Sequence, residues 1–158
     1  MKAVLLIATH ALCLVAGVAL GIYLLPILTA PPAPSAEQVA ASSAGASYTA
    51  RFRRDLQDSD ALHWGEGEVA VGPRAVVFKG QLAPGPDYKL YLSPEFVETE
   101  ADFQRLKPRM RRVGDVRTFE NFVVELPPGV NVDEHRAVIV WCESFSQFIT
   151  AAAYRPAP

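Results

Sequence analysis

Cys142 is the residue of this chain with the most distinctive chemistry. The 158 residues contain two cysteines, and the other, Cys13, lies in a long apolar segment near the N-terminus. A disulfide requires its two Cα atoms to approach within about 7 Å, so Cys142 is expected to lack a partner in its own chain. It then stays free, pairs with another chain or binds a ligand.

Two interpretations of Cys142 stay open. Strand alternation places it with Val138 and Val140 on an apolar face, where a free cysteine is often inert packing. The alternative is a redox-active or ligand-binding thiolate, which needs a nearby positive charge or a helix N-terminus. Glu143 adjoins the cysteine instead, and a carboxylate opposes thiolate formation.

The histidines suggest a metal site only weakly. His63, His135 and Cys142, with Met110 as an axial ligand, form a set of the blue-copper type. The usual order is missing, because no histidine or methionine follows the cysteine. A haem held by His63 has no second axial candidate. We therefore predict no metal site and no required cofactor, and a copper or haem carrier is the weakest functional alternative.

A dense basic run lies in the middle of the chain. Its members are Arg105, Lys107, Arg109, Arg111 and Arg112. Pro108 confines the segment to a sheet edge or a loop. Acidic residues between Glu95 and Asp102 are able to neutralise it, which favours a solvated face. The alternative is a surface for an anionic partner or for lipid headgroups.

Residues 1–30 are predicted to be a transmembrane anchor that contacts lipid through residues 3–30. No charged residue occurs from Ala3 to Ser35, and the apolar part exceeds a hydrocarbon core of about 30 Å. The alternative is a cleaved signal peptide, whose apolar region is usually only about 7–15 residues long. Because Lys2 precedes the helix, the N-terminus is expected in the cytoplasm and the rest of the chain outside it, in the periplasm.

Residues 31–47 are rich in Ala, Pro and Ser and are predicted to be a linker. Residues 48–155 are predicted to be one all-β domain, because short β-branched and aromatic runs alternate with turn residues. Predicted strands cover 66–71, 74–82, 88–92, 119–126, 137–143 and 148–154. The fold class is an antiparallel β-sandwich or flattened barrel with one short helix.

Two positions within this domain are predicted in more detail. The helix is expected in Pro94–Leu106, with Ser93 as its N-cap. The strand over 137–143 is nearly all apolar, so it is expected at the centre of a sheet and covered on both faces.

Several motifs resemble those of the DM13 domain family. Residues 85–93 are similar to its GPD-x-x-x-YLS block, and Leu106-Lys107 matches its LK motif. Residues 138–151, with Trp141-Cys142-Glu143, resemble its W-C-E-x-F ending. His63–Gly67 is similar to its H-x-x-x-G strand. The resemblance covers residues 48–155.

This resemblance implies an all-β electron-transfer module, which in the family often stands outside a membrane and uses its single cysteine for redox chemistry. A stand-alone enzyme is not expected, so an extracytoplasmic redox or binding partner protein is implied. His63, Trp141 and Asp87 are candidate binding residues, although Trp141 is also a simple core anchor. Asp87 is expected to cap the Gly85-Pro86 turn.

Composition excludes several other classes. A formal charge of −2 is not that of a general nucleic-acid binder. The chain has no Gly-x-Ser-x-Gly and no phosphate-binding loop, so the common hydrolase and nucleotide-binding signatures are missing. The alternative to redox function is therefore a non-enzymatic module that binds a protein or ligand at the cell surface.

Overall fold

The computed structural model describes residues 1–156, in which helices precede a β-sandwich. Helix α1 spans Lys2–Thr29 and helix α2 spans Ala36–Ser43. The strands are β1 (Tyr48–Phe52), β2 (Gly65–Val71), β3 (Ala75–Leu82), β4 (Tyr88–Ser93), β5 (Arg111–Val116), β6 (Phe122–Glu125), β7 (Ala137–Cys142) and β8 (Gln147–Ala153). Helix α3 (Glu100–Leu106) and two 3₁₀ turns, Lys107–Arg109 and Val132–Glu134, complete the described elements.

The strands of the described residues form two antiparallel sheets of four strands each. The first has the order β1-β2-β3-β6 and the second the order β5-β4-β7-β8. Across the two layers β1 approaches β8 and β5 approaches β6, so the sandwich is flattened and nearly closed at its edges. The predicted fold class, an antiparallel β-sandwich with one short helix behind an apolar N-terminal helix, is confirmed.

Strand β7 lies inside the second sheet, between β4 and β8. All six of its residues are buried, as its apolar sequence predicts. Alternation sends successive side chains into two different layers. Val138, Val140 and Cys142 pack between the sheets, whereas Ile139 and Trp141 pack on the outer side, in the cluster that contains α3.

Helix α3 begins later than predicted, and Ser93 is not its N-cap. The hydroxyl of Thr99 accepts the backbone N–H of Asp102 at 3.1 Å and caps the helix. Ser93 is the last residue of β4, and its hydroxyl donates to the carbonyl of Glu95 at 2.6 Å. Between them Val97 is buried in the cluster of α3, and an extended connection allows it to reach that position.

The segment predicted to be a linker contains helix α2, which packs on the domain. Ser35 and Gln38 form a reciprocal capping box at its start. Val39 is buried, and the helix contacts β3 and β6 on the outer face of the first sheet. The connection between α1 and α2 is therefore only residues 30–35.

Helix α1 is long and apolar enough to cross a membrane, by length and composition, and is a candidate membrane span. None of its residues is buried. A signal sequence near an N-terminus has the same properties. Pro26 lies inside the helix, in its last turn, where it removes the hydrogen bond to the carbonyl of Ile22 and the helix ends three residues later.

Candidate functional site

The candidate site lies at one end of the sandwich, which we call the thiol end. It is formed by four connections, residues 53–64, 83–87, 117–121 and 143–146. Strands β3, β5 and β7 end there, and β4, β6 and β8 begin there. Cys142 is the last residue of β7 and pairs with Tyr88 in β4 and Gln147 in β8.

Cys142 lies at the wall of a cavity of about 320 Å³. Its own exposure is only 2%, and it forms no disulfide within residues 1–156. The domain residues around the cavity are Leu62, His63, Pro84, Gly85, Pro86, Tyr88, Phe145, Gln147 and Ile149, and α1 adds Ala19, Ile22 and Tyr23. The almost fully buried thiol of Cys142 therefore lies at the wall of an open cavity whose lining is largely apolar.

The electrostatics of the Cys142 thiol are set by opposing effects. Burial raises its pKa, because it disfavours the charged thiolate, and the negative charge of Asp87 raises the pKa further. Backbone N–H groups of Phe145, Asp87 and Ser144 act in the opposite direction by donating towards the sulfur, and they do not overcome burial. The thiol is thus mainly protonated near neutral pH, but donors that stabilise a thiolate are already in place.

His63 faces the same cavity as Cys142. Its Nδ1 lies 2.9 Å from Oδ2 of Asp60, and the backbone N–H groups of Leu62 and His63 donate to Oδ1 of that carboxylate. Burial acts to raise the pKa of Asp60, but these hydrogen bonds outweigh it and hold the pKa below its usual value. The ring of His63 is therefore positioned by a charged acceptor.

The sequence predicts that Asp87 caps the Gly85-Pro86 turn through its side chain. In the structure the side chain has other partners. Its carboxylate lies 2.5 Å from Nζ of Lys89 and accepts a hydrogen bond from Ser144 at 3.3 Å. Its carbonyl accepts the backbone N–H of Glu143 at 3.0 Å. Through these contacts with Glu143 and Ser144, Asp87 links the β3–β4 connection to the turn that follows Cys142.

Glu143 belongs to a second polar group next to the thiol, and its pairing with Lys107 and Tyr91 was not predicted from the sequence. Nζ of Lys107 donates to its Oε2 at 2.7 Å, and the hydroxyl of Tyr91 donates to its Oε1. Burial acts to raise the pKa of Glu143, but both hydrogen bonds outweigh it and hold the pKa below its usual value. The carboxylate is thus stabilised as an anion away from the sulfur.

Trp141 lies on the opposite side of β7 from the cavity. Its ring stacks on Phe103 of α3 with centroids 3.9 Å apart, and Phe103 meets Tyr91 edge to face at 5.2 Å. Nε1 of Trp141 is buried without a hydrogen-bond partner among the described residues. The structure therefore separates Trp141 from His63 and Cys142, and packing is its evident role.

A family profile described as electron transfer DM13 matches residues 55–154, most of the chain. The chain belongs to the DM13 family. No curated protein and no solved structure matches it. The matched range contains Cys142 together with the polar groups of Asp87 and Glu143, so the whole thiol end except the first residues of its 53–64 connection lies within the DM13 domain.

The basic run of this DM13 domain begins with Arg105 in the last turn of α3, continues through the 3₁₀ turn and ends in β5, at the edge of the second sheet. Arg105 pairs with Asp102 at 2.9 Å and Arg109 with Glu95 at 3.0 Å. The remaining pairs are Lys107 with Glu143 and Arg112 with Asp115. Arg111 is exposed and has no carboxylate partner in the part of the chain that the structure describes.

The blue-copper set is not assembled in this DM13 domain. His135 precedes the first residue of β7 while Cys142 ends that strand, so the two lie at opposite ends of it. Met110 packs against the outer cluster with Trp141 rather than at the cavity. Within residues 1–156 no three His, Cys, Asp or Glu side chains form a group able to hold a metal ion.

Tyr91, Lys107 and Glu143 converge although they are separated by 52 and 36 positions in the sequence. A signal for them was present, because Tyr91 is in the YLS block, Lys107 in the LK motif and Glu143 in the W-C-E motif. The three motifs of the DM13 pattern thus meet on the outer face of the second sheet, next in sequence to Cys142, whose side chain lies on the inner face.

Proposed function

We propose that this DM13 domain is a membrane-anchored, extracytoplasmic electron-transfer module that uses the thiol of Cys142. The family match carries the proposal, since the domain type is described as an electron-transfer domain. The position of the thiol supports it, because Cys142 borders an open cavity, and backbone hydrogen bonds from residues 87, 144 and 145 partly oppose the burial that raises its pKa.

The chemistry open to a single thiol is exchange with a disulfide of another molecule. The Cys142 thiol loses its proton, and the thiolate attacks one sulfur of the partner disulfide. A mixed disulfide forms, the partner disulfide breaks, and the departing thiolate takes up a proton. A second partner that carries two thiols completes the transfer. Its first thiolate attacks Sγ of Cys142 and releases the first partner as a thiol, and its second thiolate attacks the new mixed disulfide, closes a disulfide in the second partner and releases the Cys142 thiol. Two electrons thus pass from the dithiol partner to the disulfide partner, and the protons of the dithiol go to the released thiolates.

The polar groups at the thiol end support this role through position. Backbone N–H groups stabilise the thiolate as it forms. Glu143 is drawn to Lys107 and Tyr91, so the neighbouring carboxylate repels the thiolate less than its adjacency in sequence suggests. Neither effect requires a cofactor from this chain.

The membrane topology belongs to the same proposal. Helix α1 crosses the membrane with Lys2 on the cytoplasmic side, because basic residues are retained there. The DM13 domain then lies outside the cytoplasm, where disulfide partners persist. Protease added to intact spheroplasts is expected to remove the domain and leave α1, whereas a protected domain would contradict this orientation.

The deciding experiment measures mixed disulfide formation on the full-length protein in lipid nanodiscs with oxidised glutathione. The variant Cys13→Ser retains Cys142 and is expected to gain one glutathione by intact mass. The matched variant with both Cys13→Ser and Cys142→Ser is expected to gain none. Modification of the urea-unfolded chain but not of the native chain would show that Cys142 is inert packing and would overturn the redox proposal.

A further inference from the structure

The thiol end presents exposed apolar side chains beside the cavity. Among the described residues that follow α1, three large apolar side chains are exposed, and two of them, Leu62 at 61% and Phe145 at 52%, line this cavity. Pro84 and Pro86 lie next to them. Such a cluster on one surface marks contact with an apolar or amphipathic partner.

Helix α1 reaches the same surface. Ile22 and Tyr23 line the cavity of Cys142, and Pro26 and Thr29 line a neighbouring cleft formed with residues 85–89 and 115–119. Leu62 and Phe145 stay exposed with α1 in this position. Helix α1 therefore lies beside this apolar surface and leaves Leu62 and Phe145 exposed.

The length of α1 sets the depth of this contact. Its 28 residues extend about 42 Å, which matches a bilayer of about 40–45 Å with its headgroup regions. Tyr23 lies six residues before Thr29, which corresponds to about 9 Å along the axis. The headgroup region on each side is about 5–7.5 Å deep, so domain residues beside Tyr23 lie near the boundary between headgroups and hydrocarbon, where tyrosine itself is enriched.

The connection from α1 to the domain is too short to lift the domain from the surface. Residues 30–35 reach at most about 20 Å, and α2 is fixed to the first sheet through Val39. Nδ2 of Asn121, in a thiol-end connection, donates to the carbonyl of Pro34 at 3.5 Å. The chain thus leaves the span directly along the thiol end.

We propose that the thiol end rests on the lipid bilayer that α1 crosses, with Leu62 and Phe145 inserted among the headgroups. The proposal rests on the membrane anchor proposed above and goes beyond it, because it orients the domain. The cavity of Cys142 then opens at the level of the headgroups, where a membrane-bound redox partner reaches it within the membrane plane and a small water-soluble disulfide still has access.

The test is depth measurement by spin labelling of the full chain in phosphatidylcholine and phosphatidylglycerol liposomes. Single labels are placed by Phe145→Cys, Leu62→Cys and Phe96→Cys in a Cys13→Ser, Cys142→Ala background. Phe96 is the matched control, because it is a large apolar residue that is 39% exposed away from the thiol end. A fourth sample carries the label on native Cys13. Power saturation compares collisions with oxygen, which concentrates in lipid, and with a water-soluble nickel chelate.

At positions 145 and 62 the oxygen-to-nickel collision ratio is expected to exceed that at position 96 several-fold. Equal, water-like ratios at all three positions would overturn the docking of the thiol end. The label on Cys13 separates this result from failure of the anchor: a lipid-like Cys13 with a water-like Phe145→Cys contradicts the docking alone. A water-like Cys13 contradicts the anchor, and the docking with it.

Discussion

The sulfur of Cys142 is nearly buried, and backbone N–H groups act on it. Burial and these N–H groups together determine how readily the thiolate forms. Burial raises its pKa while N–H groups of residues 87, 144 and 145 lower it. Only the thiolate is nucleophilic. The reactivity of the residue is therefore controlled by how easily a charge forms at the base of the cavity, rather than by exposure alone.

The raised pKa predicts the pH dependence of Cys142 alkylation. In Cys13→Ser the iodoacetamide rate is expected to rise about tenfold per pH unit. The rise is expected to continue beyond about pH 8.5, where an ordinary thiol levels off. The urea-unfolded chain is the control and should level off near that pH. A native profile that levels off below pH 8 would show that the N–H groups outweigh burial.

The Glu143 carboxylate predicts a stability effect with a defined pH range. Its pKa is lowered by Lys107 and Tyr91 against burial, so its stabilisation is present above the unfolded pKa of about 4.3 and is lost as pH falls through the folded value. Glu143→Gln is expected to cost about 1 kcal/mol or more at pH 7, because Lys107 loses its charged acceptor.

The control for Glu143→Gln is Glu95→Gln. Glu95 pairs with Arg109 in a pair that is more exposed on both sides, so its loss should cost less than about 0.5 kcal/mol. Urea unfolding followed by circular dichroism at pH 7 and pH 3 measures both variants. Equal costs for the two variants at pH 7 would contradict the role assigned to the Lys107–Glu143 pair.

The secondary structure agrees with the prediction from local sequence where one face of an element is apolar. It differs from the prediction where contacts with residues distant in sequence determine the local structure. The alternation of Tyr88, Leu90 and Leu92 against Lys89 and Tyr91 predicts the two layers that the structure shows. The uniformly apolar β7 predicts its central place. Both results follow from the two-residue period of a strand.

The parts that local pattern misses depend on contacts between remote segments. Ser93 has the residue type of an N-cap, but β4 continues through it because it pairs with Ala137. Asp87 has the type of a turn residue, but Lys89 and Ser144 engage its carboxylate. In each case the residue type is compatible with two local roles, and tertiary contacts select between them.

The cap of α3 gives a direct prediction at this scale. Thr99→Ala removes the hydroxyl that accepts the N–H of Asp102, and is expected to cost about 1 kcal/mol. Thr49→Ala, at an exposed strand position, is the matched control and should cost distinctly less. Thermal unfolding monitored by circular dichroism compares the two variants. An equal loss in both would show that Thr99 does not cap the helix.

The connection between β3 and β4 controls access to the thiol. A Cβ added at Gly85 would lie 2.4 Å from the Tyr88 hydroxyl and 2.5 Å from its ring carbons. Gly85→Ala must therefore displace Tyr88, the residue that pairs with Cys142. Alkylation of Cys142 in the Cys13→Ser background is expected to become faster. Gly45→Ala, where nothing lies within 4 Å, should leave the rate unchanged, and an unchanged rate in Gly85→Ala would show that Tyr88 does not cover the thiol.

At the scale of the whole molecule, the linker sets how the domain is held relative to α1. Composition predicts a spacer over residues 31–47, whereas α2 packs on the first sheet through Val39. A single buried valine in an Ala-rich stretch gives almost no periodic signal. The outcome depends on the sheet surface that receives the helix, which the linker sequence does not contain.

The docking of α2 predicts a change in protease sensitivity that is separate from the stability of the domain. Val39→Asp places a charge in the buried contact, so α2 should leave the sheet and the free connection should grow from residues 30–35 to residues 30–47. Elastase, which cleaves after small residues, should then cut the Ala-rich segment many times faster in nanodiscs. Ala41→Asp adds the same charge at an exposed position of α2 and should be cut like the unmodified chain.

The thermal transition of the β-sandwich in Val39→Asp should stay nearly constant, because its main core lies between the two sheets and α2 contributes no residue to it. Equal cleavage of both variants would show that α2 is not held on the sheet, and a large fall in the transition would show that α2 is part of the domain core.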